Sequence, residues 1–88
     1  MDRDSHVAPQ LIVPDLGMPG AALTLSLWLV PEGADVLEGD RVVELLSGAA
    51  TIDLEAPVAG RLVRQLVDED AAVRPGMVIA EFEPRAEG

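Results

Sequence analysis

Sliding the sequence along itself by 37 residues (29 onto 66) lays Leu27–Leu45 over Arg64–Phe82 without a gap. Leu29 then meets Leu66, Val30 meets Val67, Glu32 meets Glu69 and Ala34 meets Ala71. Val36 falls on Val73, Gly39 on Gly76 and Glu44 on Glu81, while Ala22 over Ala59 and Leu25 over Leu62 extend the match upstream. An internal repeat constrains a short chain strongly, because two copies of one supersecondary unit must bury their apolar faces against each other. The unit here reads strand, acidic turn, valine, glycine-containing turn, strand. Val36 and Val73 are expected to anchor the turns, and Gly39 and Gly76 suit positions that need φ > 0. Two similar halves packed face to face about a pseudo-twofold axis are the expected result. Ser47–Ala50 lies between the halves and should protrude from one end as a hairpin turn.

The repeated unit is built of strands. Leu23, Leu25, Leu27 and Leu29 alternate with Thr24, Ser26 and Trp28, a period of two that would scatter the leucines around a helix. This spacing predicts the leucines on one face and Trp28 on the opposite, Thr/Ser face. Further strands are expected over Gln10–Val13, Arg41–Leu46, Thr51–Glu55, Arg61–Val67 and Met77–Glu83, separated by Pro- and Gly-containing breaks. No apolar stripe recurs at helical spacing. With only Trp28 and Phe82 aromatic, the core must be Val, Leu, Ile and Ala, which suits a thin two-sheet sandwich. The predicted fold is all-β, a flattened barrel-sandwich hybrid of two antiparallel sheets with about seven or eight strands. At 88 residues the chain is one domain, placed at residues 10–83 between an N-terminal tail (1–9) and a C-terminal tail (84–88).

Charge and residue inventory exclude several classes of function. Sixteen acidic residues against six basic ones give a net charge of −10, which repels phosphate backbones and anionic lipid and favours a soluble monomer. No partner among nucleic acids or membranes is expected. All six basic residues are arginine (Arg3, Arg41, Arg61, Arg64, Arg74, Arg85); lysine is absent, as is cysteine. No apolar run reaches the roughly 20 residues of a membrane span, and Met1–Pro9 does not read as a signal peptide, so a cytoplasmic location is expected. The single histidine, His6, reads as a solvated tail residue rather than a ligand or base. Asp68-Glu69-Asp70 lacks the ligand spacing of a calcium loop and reads as a solvated turn. Ser5, Ser26 and Ser47 have no histidine in an ordered framework. No catalytic residue and no metal site is expected. Trp28 reads either as a cover over the barrel's outer edge or a contact to the N-terminal segment, or, less simply, as an exposed recognition residue.

Four segments together carry a family resemblance: Val13-Pro-Asp-Leu-Gly-Met18, Leu27-Trp-Leu-Val-Pro-Glu-Gly33, Val36-Leu-Glu-Gly-Asp40, and Glu55-Ala-Pro-Val-Ala-Gly60 followed by Arg61-Leu62. In order and spacing they resemble the lipoyl domains of 2-oxo acid dehydrogenase acyltransferases, within the wider biotinyl/lipoyl attachment family. The resemblance spans residues 10 to 83. It implies the same flattened barrel, with lipoate as the family's cofactor, held by amide linkage to a lysine at a hairpin tip. Lipoyl domains show Asp-Lys-Ala there and biotin carriers Met-Lys-Met. Counted without gaps from Glu44 or back from Pro57, this chain has Gly48-Ala49-Ala50, so Ala49 falls where the resemblance puts the modified lysine, flanked by Gly48 and Ala50. A methyl group offers neither nucleophile nor reach, and no cofactor is expected. The resemblance therefore implies a lipoyl-like, non-catalytic domain acting through protein contacts, with 2-oxo acid dehydrogenase complex subunits as candidate partners. The alternative is a genuine lipoyl (or biotinyl) swinging-arm domain whose lysine was replaced by engineering. Against it, Ser47-Gly48 and Leu46 also depart from the family's pattern. The lipoyl-like hairpin of a membrane-fusion or transporter protein is a third option, disfavoured because such domains are usually interrupted by a long helical insertion and this hairpin is closed by four residues.

Overall fold

The computed structural model describes residues 8–17, 20 and 22–85. His6, Ser5, Met18 and most of the expected tails lie outside these residues. Eight strands follow in chain order: β1 (Gln10–Ile12), β2 (Leu23–Trp28), β3 (Asp35–Val36), β4 (Arg41–Ser47), β5 (Ala50–Glu55), β6 (Gly60–Gln65), β7 (Ala72–Val73) and β8 (Val78–Pro84). They form two four-stranded sheets, ordered β1-β8-β6-β3 and β5-β4-β2-β7, and every pairing is antiparallel. No helix occurs among the described residues, as the sequence pattern predicts. The folded body reaches one residue beyond the expected boundary at the N-terminal end and two at the C-terminal end, where the Arg85 amide donates to Ala59 O (2.9 Å). Pro9 accepts a hydrogen bond from the Phe82 amide (2.9 Å), and β8 runs through Pro84.

The 37-residue repeat is the symmetry of the fold. β2, β3 and β4 shifted by 37 give the bounds of β6, β7 and β8, and the two sheets have the same order under that exchange. Backbone bonds come in matching pairs. Leu25 donates to Ala71 O and Leu62 to Ala34 O, both at 2.9 Å, while Gly33 donates to Leu62 O and Asp70 to Leu25 O. Side chains obey the same relation: Glu69 accepts the Trp28 amide (2.9 Å) and Glu32 the Gln65 amide (2.8 Å). The Trp28 indole N–H donates to Val67 O (3.0 Å), and the Gln65 side-chain amide donates to Val30 O (2.9 Å). These crossed contacts bind each half's loop to the other half's central strand. Gly39 and Gly76 have φ of 91° and 89°, the left-handed geometry expected of both turns. The core is aliphatic apart from Phe82. Leu25, Leu45, Leu62, Ile79, Val13, Val42 and Val43 are fully buried with it, and no polar or charged side chain is buried among the described residues.

Two expectations fail for one reason. Leu27 and Leu29 are 44% and 40% exposed rather than buried. Trp28 turns inward, is half-buried and packs against the core. The β2–β4 register shifts between Leu25 and Leu27. An extra residue in one strand of a pair exchanges the two faces beyond it. The same shift recurs between Leu62 and Arg64 in the β6–β8 pair, so the bulge belongs to the repeat. It lets the Trp28 ring cover the core while its N–H finds an acceptor, as a buried indole requires.

Candidate functional site

The residues singled out as the candidate attachment position lie at the β4–β5 hairpin. Its strands pair in unbroken register from Val43↔Leu54 to Ser47↔Ala50, which leaves a two-residue loop of Gly48 and Ala49. Ser47 and Ala50 are the outer residues of the turn, which spans the expected Ser47–Ala50. Gly48 has φ of 59°, and Ala49 does not have a positive φ. Glycine with positive φ at the first central position and an ordinary residue at the second is the signature of a type II′ turn, whose twist matches the flanking strands.

Gly48, Ala49 and Ala50 are all exposed. From Leu46 through Ile52 no residue carries a charge, although the molecule as a whole is strongly acidic. Nucleophilic chemistry at this end is limited to the half-buried Ser47 hydroxyl and the exposed Thr51 hydroxyl. No group of three or more His, Cys, Asp or Glu side chains able to hold a metal occurs among the described residues. Asp68-Glu69-Asp70 is more than a solvated turn. Glu69 holds the Trp28 amide, and Asp70, at φ of 74°, donates its amide to Leu25 O. An open depression of about 300 Å³ lies at the other end of the sheets, lined by Asp35, Gly60, Arg61, Glu83, Pro84 and Arg85. Shifted back by 37 residues, Gly60, Arg61, Glu83 and Pro84 become Leu23, Thr24, Leu46 and Ser47. The depression is therefore the pseudo-symmetric counterpart of the hairpin root.

A flattened barrel of two pseudo-symmetric four-stranded sheets, with a tight exposed hairpin between the halves, is the geometry that comparison with known proteins meets. Residues 9–82 match the family described as biotin-requiring enzymes. The chain belongs to the biotin/lipoyl attachment family. This biotin/lipoyl domain is 33% identical over 75 residues to the dihydrolipoyllysine-residue acetyltransferase component of the pyruvate dehydrogenase complex of Corynebacterium glutamicum. That match covers 85% of this chain and 11% of the relative. Among solved structures it resembles part of a single-chain, multi-domain long-chain acyl-CoA carboxylase, with a TM-score of 0.69 and 28% identity. The similarity covers 92% of this chain and 7% of the carboxylase. The biotin/lipoyl domain thus spans only a small fraction of the length of either relative.

Sequence reasoning singled out the tip but did not find the inter-half ties made by Trp28, Gln65, Glu32 and Glu69. A signal was present: residues 32 and 69 are a Glu pair in the repeat, and 28 and 65 both carry a side-chain N–H donor at equivalent positions.

Proposed function

We propose that this chain is a biotin/lipoyl-family domain that does not carry lipoate or biotin at its hairpin and instead serves as a non-catalytic interaction module. It is of, or derived from, a 2-oxo acid dehydrogenase-type complex, whose subunits are its candidate partners. The observation that carries the reading is the pair Gly48-Ala49 at the hairpin tip of a chain without lysine. Amide attachment needs a primary amine with reach. The tip offers a hydrogen atom and a methyl group, and arginine stays protonated and cannot act as an amine nucleophile. The residues at the tip therefore do not fit the family's cofactors, and no step through either one is assigned. Similarity to the acetyltransferase component supports the choice of the lipoyl branch and of protein partners. The acidic balance, a net charge of −10, supports a monomeric module.

Gly48 supports natural divergence over an engineered lysine-to-alanine change. A single replacement at 49 would leave the family's aspartate at 48. Here Gly48 occupies a left-handed backbone conformation that glycine adopts at least cost, so the two-residue turn is consistent with its own sequence. Ligation in vitro tests the proposal. The purified chain, given lipoate ligase or biotin ligase with ATP and the acid, should remain unmodified. Stoichiometric modification would overturn it.

A further inference from the structure

We propose that the free edge of β5 is a docking site for an extended segment of a partner protein that alternates apolar and basic side chains. The proposal rests on the interaction-module reading and specifies the partner's chemistry. Each sheet has two edges, and three of the four are short: β1 spans three residues, β3 two and β7 two. β5 spans six and, among the described residues, pairs only with β4. It contains neither proline nor lysine, the residues that commonly protect an exposed edge.

Register fixes which backbone groups are free. Ser47 and Ala50 close the two-residue turn and form a hydrogen-bonded pair, after which bonded and non-bonded pairs alternate along an antiparallel ladder. Thr51, Asp53 and Glu55 therefore direct both N–H and C=O away from β4. Beyond the strand, Ala56 turns back to the β4 side, donating to Asp40 O at 2.8 Å and accepting from Gly39, which agrees with that phase. No described backbone group outside β4 bonds Thr51, Asp53 or Glu55. An added strand can satisfy all six groups by β-augmentation.

Side chains define the occupant. Thr51, Asp53 and Glu55 are exposed on the outer face, while Ile52 is half-buried against the core and Leu54 is buried. Glu44 lies opposite Asp53 in register, and Arg41 bridges to Asp53 at 3.6 Å, the one ion pair of these carboxylates among the described residues. Three carboxylates against one guanidinium favour Lys or Arg on the outer face of the incoming strand. Its alternate residues would lie beside Ile52 and Leu54 and should be apolar. A second copy of this chain would bring Asp53 and Glu55 against their like, which disfavours self-pairing.

The test uses the intact chain, a capped peptide alternating Val and Lys, and backbone amide exchange read by NMR. The peptide should protect the amides of Thr51, Asp53 and Glu55. The same peptide N-methylated on the bonding residues keeps its charge and should bind about tenfold more weakly or worse. Thr51→Pro removes one outward N–H without breaking a β4 bond, and should weaken binding by a similar factor. The N-methylated peptide tests the same point without altering the protein. Equal binding of both peptides, protection mapping elsewhere, or absence of binding would overturn the proposal. Concentration-dependent protection of these amides without peptide would overturn it in favour of a second copy. Modification of the tip by a ligase would sink the proposed function without moving these amides, so the two failures are separable.

Discussion

Lysine introduced at two positions should separate the tip from the core. Leu25 is completely buried, and among the described residues no charged side chain is buried to receive an ammonium group. Leu25→Lys forfeits about 2–3 kcal/mol of apolar burial and adds several kcal/mol for an unpaired buried charge. A domain of 88 residues has roughly 4–13 kcal/mol to lose, at about 0.05–0.15 kcal/mol per residue. The variant should be unfolded or nearly so. Ala49 is exposed, in a turn position with ordinary φ, so Ala49→Lys should change stability by no more than about 0.5 kcal/mol. Guanidinium unfolding followed by Trp28 fluorescence reads both, since the only indole in the chain is half-buried and hydrogen-bonded. Comparable losses at the two positions would refute the register assigned to the hairpin and the burial assigned to β2.

Other substitutions probe the backbone and the tip. A Cβ at Gly60 would collide with the Glu83 carbonyl oxygen and approach Pro84 Cα to 2.8 Å. Gly60→Ala should therefore cost about 3 kcal/mol, seen as a drop in Tm of more than about 10 °C; a neutral outcome would mean that β6 and β8 are further apart. Gly33 and Asp70 are repeat partners with φ of 90° and 74°, yet only one is glycine. Gly33→Asp should destabilise by about 1 kcal/mol and Asp70→Gly should stabilise by a similar amount, because left-handed strain outweighs the opposing unfolded-chain entropy at both positions. Equal and large losses in chemical unfolding would contradict this. Ala49→Lys alone should gain little lipoate on co-expression with a lipoate ligase, and Gly48→Asp with Ala49→Lys markedly more, because aspartate can bond the local backbone and hold one turn shape. Gly48→Asp should itself cost about 1 kcal/mol at φ of 59°. Full modification of the single variant by intact mass would mean that the fold alone presents the tip.

Much of this architecture is legible in the residues themselves, because a repeat is a long-range constraint written in local sequence. The offset of 37 predicts the pseudo-twofold and the left-handed glycines at 39 and 76. The hairpin between the halves follows from small residues that separate the apolar run Arg41–Leu46 from the alternating run Thr51–Glu55. What is not legible is short or hidden by composition. β3 and β7 are two residues each, too short for any period, and Val36 and Val73 show only as turn anchors. The bulge after Leu25 leaves no trace, because leucine continues at 27 and 29 where the faces have already exchanged. Period two therefore places Trp28 on the wrong side. The partner loop that receives its indole lies 39 residues away, beyond the reach of local pattern.

We propose that this biotin/lipoyl domain keeps the family's fold without using its hairpin as an attachment point. The most direct measurement is the intact mass of the chain isolated from cells that express active lipoate and biotin ligases. The account predicts one species at the mass of the unmodified polypeptide. A species heavier by one lipoyl or biotinyl group, mapped by fragmentation to any residue from Ser47 to Ala50, would contradict it.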